Sequence, residues 1–408
     1  MIDLKSLPFT VCFATQELPT RRHKSMFLSG PSPRTTGQDD SSTWRYAALR
    51  HLAAKGYDGI VFVPIPQDKF LHEGPAASAP WSYDAQIEWE VSARRQCDIE
   101  VYWIDRRMPS VPGLTTNFEL GESLPAGKII YGRPSDADHV RYLDHRYLSD
   151  LNTRRLTAQP LETLAATLDA ALAYLDSYPL SIREGHDAEI PLHVWHHRPF
   201  REWLRSQQAV GNQVRIVVKN SFFIGNALFS MSFQAFVWVA HKSRWKTNEH
   251  VSTRADLSAV VVYARHPDLQ TQHLLMVSEY RSPVRNELCR VLELPSGSSF
   301  NPQKTPLAIA LSEVQEETGL VLQPEQLTYH GFYQAANTVS AHGHHLYSVE
   351  VPYSALSGLI GRQHGQAAES EIVLTHLIPL ADILSHPAID STQIGLILRA
   401  LGPTAFSA

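Results

Sequence analysis

A chain of 408 residues with 43% hydrophobic and 19% charged residues describes an ordinary globular protein, long enough for two domains and not limited in core size. Its 36 basic and 41 acidic residues leave a formal charge of -5, which excludes a broad basic surface for duplex nucleic acid and favours a small-molecule ligand. Cys12, Cys97 and Cys289 are isolated, without CxxC spacing, so neither a disulfide framework nor a thiolate zinc site is expected, in keeping with a reducing cytoplasm. The amino-terminal segment lacks a long apolar run after a basic start. No stretch of about 20 apolar residues occurs elsewhere, so the expected location is cytoplasmic, neither secreted nor membrane-spanning.

From residue 26 to about 134, short apolar runs alternate with helical patterns: MFLSGP, a helix near Ser42 to Lys55, GIVFVPIP, a helix near Tyr83 to Cys97, IEVYWID, another helix, and KIIYG. That βαβ order predicts a parallel sheet. Ligands of such sheets sit at the carboxyl ends of the strands, where the Gly30-Pro31 turn, Asp105 and a turn from Thr115 to Gly121 are expected to gather.

Within this region MFLSGPSPR, GYDGIVFVP, YDAQIEWE, CDIEVYWIDR and PGLTTNFELG follow one another in an order that resembles the nucleoside 2-deoxyribosyltransferase-like family, over roughly the first third of the chain. The resemblance implies a Rossmann/flavodoxin-like domain. It also implies that Glu119, in the Asn-x-Glu-x-Gly pattern, attacks an anomeric carbon and carries a glycosyl ester. Asp98 and Asp105 are the next candidates for holding base or sugar, with Gly30, Pro31 and Asn117 in the substrate pocket. An aspartate that better-known members place shortly before the glutamate has no counterpart in MPSVPGLTTN. A carboxylate nucleophile suits glycosidic cleavage because it stabilises an oxocarbenium-like transition state and forms an ester that water or another base resolves.

A helix is predicted from about Leu161 to Leu175, and SYPLSIREGHDAEIP reads as a connector. QVRIVVKNSFF and SFQAFVWVAHKSRW alternate as strands do. The histidine runs around His193 to His197 and His342 to His345 lack the spacing of a helical zinc pair and are expected to pack, hydrogen-bond or contact phosphate.

The stretch ELPSGSSFNPQKTPLAIALSEVQEETGL carries the densest chemistry. Thr305 as cap, Pro306 at the first position and Gly319 after the end predict a helix from about Pro306 to Thr318. At roughly 100° per residue Glu313, Glu316 and Glu317 share one face, with Leu307, Leu311 and Val314 on another. Three like charges on one face call for a cation, and oxygen-only ligands favour magnesium, manganese or calcium over zinc.

Gly297, Glu313, Glu316, Glu317 and Gly319 match the spacing of the Nudix hydrolase signature, and the Tyr280-Arg281 dipeptide with the LPSG turn resembles the ADP-ribose pyrophosphatase-like type. The resemblance implies that Glu316, Glu317 and the Ser296 carbonyl bind Mg2+ or Mn2+ with help from Glu313. It puts Tyr280 and Arg281 at the substrate, and makes either Glu369 or Glu371 the residue that activates water. Two positions depart from the signature: Ser312 stands for its usual arginine, and Lys304 falls near its earlier glutamate. Loss of that arginine is expected to loosen the carboxylates.

The expected architecture is α/β throughout. A deoxyribosyltransferase-like parallel-sheet domain over residues 1–180 is followed by a connector over 181–210 and, over 211–408, a Nudix α/β/α sandwich preceded by a small sheet that pairs subunits into a homodimer or higher oligomer. The resemblances imply an enzyme that hydrolyses an ADP-ribose-like nucleoside diphosphate in its second half and cleaves or transfers an N-glycosidic bond in its first. The rival expectation is a nucleotide sensor with degenerate sites.

Overall fold

The computed structural model describes residues 3–32, 43–71, 82–150, 152, 155–287, 289–299, 301, 303–364 and 373–402. The chain forms two compact units, Met1–Ser252 and Thr253–Ala408. Among the described residues no helix is long and apolar enough to cross a membrane.

In the first unit, five parallel strands stand in the spatial order Thr10–Phe13, Ile60–Val63, Ser25–Ser29, Ile99–Trp103, Ile129–Gly132. The last four are buried at every residue, as a parallel sheet covered on both faces requires. Alternate side chains serve the two faces. Met26, Leu28, Val61 and Val63 pack with Leu49 and Leu52 of the helix Thr43–Ala54 and Leu168 of Leu164–Asp176, while Phe27 and Phe62 meet Trp89 and Ala93 of Tyr83–Gln96. Each such side chain, fully buried, contributes about 1.5–3 kcal/mol. Chain order reverses between Ser25–Ser29 and Ile99–Trp103, so a crevice opens beyond the carboxyl ends of these two strands.

Residues 181–210, expected as a connector, are instead folded into this unit. Arg183–Glu184 pairs with Arg21–Arg22, and the helix Arg198–Ala209 buries Phe200 and Leu204 against Val214, Ile216, Phe233 and Ala235 of the long strands Gln213–Ile224 and Ala227–Val239. These strands, expected in the second domain, belong to the first unit. The second strand ends earlier than its alternation suggested, at a turn where Ser243 takes a positive φ of 46°, and a third strand, Arg244–Arg254, follows.

The second unit is a mixed sheet in the order Thr328–Tyr333, His344–Glu350, Leu257–Arg265, Gln272–Tyr280, Val373–Pro379, Gln363–His364. Leu257–Arg265 runs parallel to His344–Glu350 and antiparallel to Gln272–Tyr280. Ala259, Val261 and Met276 face Leu396 and Ile397 of the helix Ser391–Leu401, and Val260, Val262 and Leu275 face Ala310 and Val314 of Pro306–Thr318, giving a helix on each side. Thr305 accepts from the Ala308 amide at 3.2 Å, a cap worth about 1 kcal/mol, and Gly319 closes the helix at φ 75°.

Candidate functional site

In the first unit the crevice is built around Gly30. A Cβ there would lie 2.3 Å from the Trp103 carbonyl oxygen and 2.9 Å from the Trp44 ring, so only glycine lets the turn pass between the strand ends. Pro31 lies against Gly113, whose φ of 53° launches the helix Leu114–Ser123. The segment expected as a turn from Thr115 to Gly121 is therefore helical. It carries Glu119 to the crevice, where the Ser29 hydroxyl donates to the carboxylate at 3.1 Å.

Two residues that the sequence reading did not single out complete this arrangement. Arg45 is fully buried and donates to the carbonyls of Leu28 (3.3 Å) and Gly30 (2.9 Å); its charge faces both Glu90 and Glu119. Glu90 accepts from Gln86 at 2.7 Å. Burial pushes its carboxyl up to about 7; the Gln86 hydrogen bond opposes that rise, repulsion from Glu119 adds to it, and Arg45 and Arg94 oppose it. YDAQIEWE held Glu90 in plain view, but nothing local marks one helical glutamate as buried opposite another carboxylate.

Asn117 accepts from the Arg106 guanidinium, which also donates to the carbonyls of Gly113 and His139, so its amide is held by the loops flanking the crevice. Asp105 pairs with Arg107 at 2.8 Å and is half-buried. Asp98 is not at the crevice. It precedes its strand, at the opposite end of the sheet, wholly buried, where it accepts from Arg183 at 2.7 and 2.8 Å, from Ser25 at 2.9 Å and from the Leu192 amide at 2.8 Å. Those bonds occupy both oxygens, so its expected contact with base or sugar gives way to a structural one: it fixes the 181–210 segment to the sheet.

In the second unit the helix Pro306–Thr318 turns its acidic face to the Ser296–Gly297 ladder beside Leu257–Arg265. The Ser296 amide donates to Glu317 at 3.0 Å, and a Cβ on Gly297 would fall within 2.5 Å of the Glu313 carboxylate. Glu316 is exposed on the same helix. Glu279 and Glu293, which the sequence reading passed over, come from paired strands and share Arg281 Nη2 at 2.6 and 2.8 Å. Burial holds the Glu317 carboxyl well above the usual carboxylate range; the Ser296 amide opposes this, while Glu313, Glu279 and Glu293 reinforce it. Tyr280, next to Arg281, is exposed. Glu369 and Glu371 lie outside the described residues.

Oxygen donors of like charge crowded at a glycine cradle fit a hard divalent cation. Among the described residues no three His, Cys, Asp or Glu side chains already converge as a metal group, so the carboxylates would have to close around an ion. The two departures from the signature touch each other: Lys304 Nζ donates to Ser312 Oγ at 2.7 Å, and Ser312 donates to the Ile309 carbonyl. Lys304 thus ties the loop to the helix, and Arg281 gathers Glu279 and Glu293 from the neighbouring strands.

Comparison of the chain with models of protein families and with curated proteins finds no match to either.

Proposed function

We propose that this is a two-site nucleotide-processing enzyme, whose first unit cleaves or transfers an N-glycosidic bond and whose second hydrolyses an ADP-ribose-like diphosphate. The observation that carries the reading is that each unit gathers carboxylates in unlike surroundings, the arrangement by which one group stays ionised while its neighbour keeps a proton. In the first unit Glu119, hydrogen-bonded by Ser29, attacks the anomeric carbon as the bond to the base breaks and its electron pair passes to the base nitrogen. Glu90, poised near neutrality, gives its proton to that nitrogen. Water then cleaves the glycosyl ester and returns a proton to Glu90, so the balance is nucleoside plus water to sugar plus base. Arg45 braces the Gly30 turn and sets its charge toward both carboxylates.

In the second unit Glu313, Glu316 and Glu317 would hold magnesium or manganese, which when bound neutralises phosphate charge and lowers the pKa of water. The Ser296 amide orients Glu317, the Gly297 cradle seats Glu313, and Arg281 keeps Glu279 and Glu293 from repelling the anionic substrate. A screen of nucleosides, nucleotides and nucleotide sugars with mass-resolved products, with and without magnesium, tests both halves. Base release lost in Glu119→Ala and magnesium-dependent phosphomonoester release lost in Glu317→Gln are expected. Turnover untouched by either change would remove the corresponding site.

The rival reading of the second unit is a sensor that binds a nucleotide diphosphate without turning it over. Calorimetric binding of ADP-ribose without magnesium-dependent release of AMP and ribose 5-phosphate would decide for the sensor.

A further inference from the structure

We propose that a second cavity of the first unit, between the helix Tyr83–Gln96 and the strands of residues 213–254, binds a small aromatic anion of the nucleoside-phosphate class. Its volume is about 410 Å³, and it adjoins another of about 210 Å³ with which it shares Arg95 and Val217. Together they fall within the range of small-molecule sites. Glu100 and Lys128, at the amino ends of their strands, line the smaller cavity together with Arg94, Glu122 and Ser123, and Arg94 connects it to the helix Leu114–Ser123 by donating to the Glu119 carbonyl at 3.3 Å. Neither Glu90 nor Glu119 lines it.

One end of the larger cavity is aromatic. Phe236 and the half-exposed Trp245 line it, with Trp238 packed edgewise on Trp245 at 5.9 Å. A planar base fits such a wall. The polar lining carries more positive than negative side chains, and most of them are already matched: Arg215 pairs with Glu189 at 2.8 Å, Arg94 with Glu122 at 2.8 Å, and Lys128 caps the carbonyls of Arg94 and Cys97. Two cations are left over. Arg95 and Lys219, both exposed, have no ion-pair partner among the described residues.

An independent sign comes from two buried groups on the smaller cavity. Arg94 Nε and His193 Nδ1, on side chains 5% and 2% exposed, lack a hydrogen-bond partner among the described residues. Buried polar atoms are seldom left without a partner. Phosphate oxygens entering between Arg95 and Lys219 supply acceptors there, while the base lies toward Trp245.

The test is calorimetry with AMP on the full chain in chelator, using Glu119→Ala as background so that the other site cannot turn the ligand over. AMP is expected to bind, and adenosine or inorganic phosphate alone to bind more weakly. Arg95→Ala with Lys219→Ala is expected to weaken AMP by about tenfold or more, the loss of one to two charge-assisted hydrogen bonds. Trp245→Ala should act similarly and Trp245→Phe should restore most of the loss. Unchanged AMP affinity in these variants, or no heat at millimolar AMP, overturns the proposal. Base release by the Arg95→Ala, Lys219→Ala chain that retains Glu119 reports on the other site alone, so failure of one reading leaves the other standing.

Discussion

Arg281 holds Glu279 and Glu293 on one nitrogen, at 2.6 and 2.8 Å, so the two carboxylate oxygens can be no more than about 5.4 Å apart. Arg281→Ala leaves them facing each other. At that separation Coulomb repulsion is about 3 kcal/mol for an effective dielectric of 20 and about 0.8 kcal/mol in bulk water. The guanidinium is 41% exposed and the glutamates 12% and 19%, so solvent screens part of this and a loss of about 1–2 kcal/mol is expected. Amide hydrogen exchange in the strands Gln272–Tyr280 and Arg290–Glu293, which carry the two glutamates, reports that loss locally. The penalty is electrostatic. It should be full at low ionic strength and shrink as added salt screens the two charges. Added magnesium should recover part of it. An equal loss of protection at low and high salt, indifferent to magnesium, would refute the electrostatic account and leave only lost packing of the arginine stem.

Glu317→Gln should stabilise the metal-free second unit and abolish its thermal shift with magnesium. A carboxyl whose folded pKa is raised contributes stability below its unfolded pKa and loses it as pH rises, so the gain should be larger at pH 8 than at pH 5. Glu90→Gln should lower base release by about 10²–10⁴-fold and remove a decline in rate centred near pH 7, since the wild-type acid must be protonated to act and its carboxyl titrates at about 7. Asp98→Ala should cost about 3–5 kcal/mol by stranding the wholly buried Arg183, measured by urea unfolding; intact stability with lost turnover would return Asp98 to the active site.

How much could be read in advance follows the range of the interactions involved. The helix Pro306–Thr318 was legible because Thr305, Pro306 and Gly319 act within one turn of its ends, and the βαβ order because each buried strand is a short apolar run. Asp98 was misplaced because its partners, Arg183 and Leu192, lie 85 and 94 residues on, and no spacing rule connects an aspartate at a strand start to them. The same long-range bond made SYPLSIREGHDAEIP look like a linker: its buried polar residue, Arg183, is held by pairing with Asp98 and not by periodicity. Arg244–Arg254 was overlooked as a strand since its residues are mostly exposed and polar, so it has no apolar face to alternate.

Glu119 and Asp98 show why the kind of residue underdetermines its role. Both flank the sheet in the first unit, and each is met by a serine hydroxyl from one end of the same strand, Ser29 for Glu119 and Ser25 for Asp98. What separates them is the cation each meets. Arg183 donates two hydrogen bonds to Asp98 and, together with Ser25 and the Leu192 amide, fills its acceptor sites, so that carboxylate has nothing left to offer a substrate. Arg45 spends its hydrogen bonds largely on the backbone of the Gly30 turn and acts on Glu119 and Glu90 through its charge, which leaves both carboxylates with capacity for chemistry. Topology decides which aspartate or glutamate receives which arginine. The carboxyl ends of the strands, where chain order reverses, leave a crevice for a ligand, whereas the amino end at Asp98 is closed by the segment that carries Arg183.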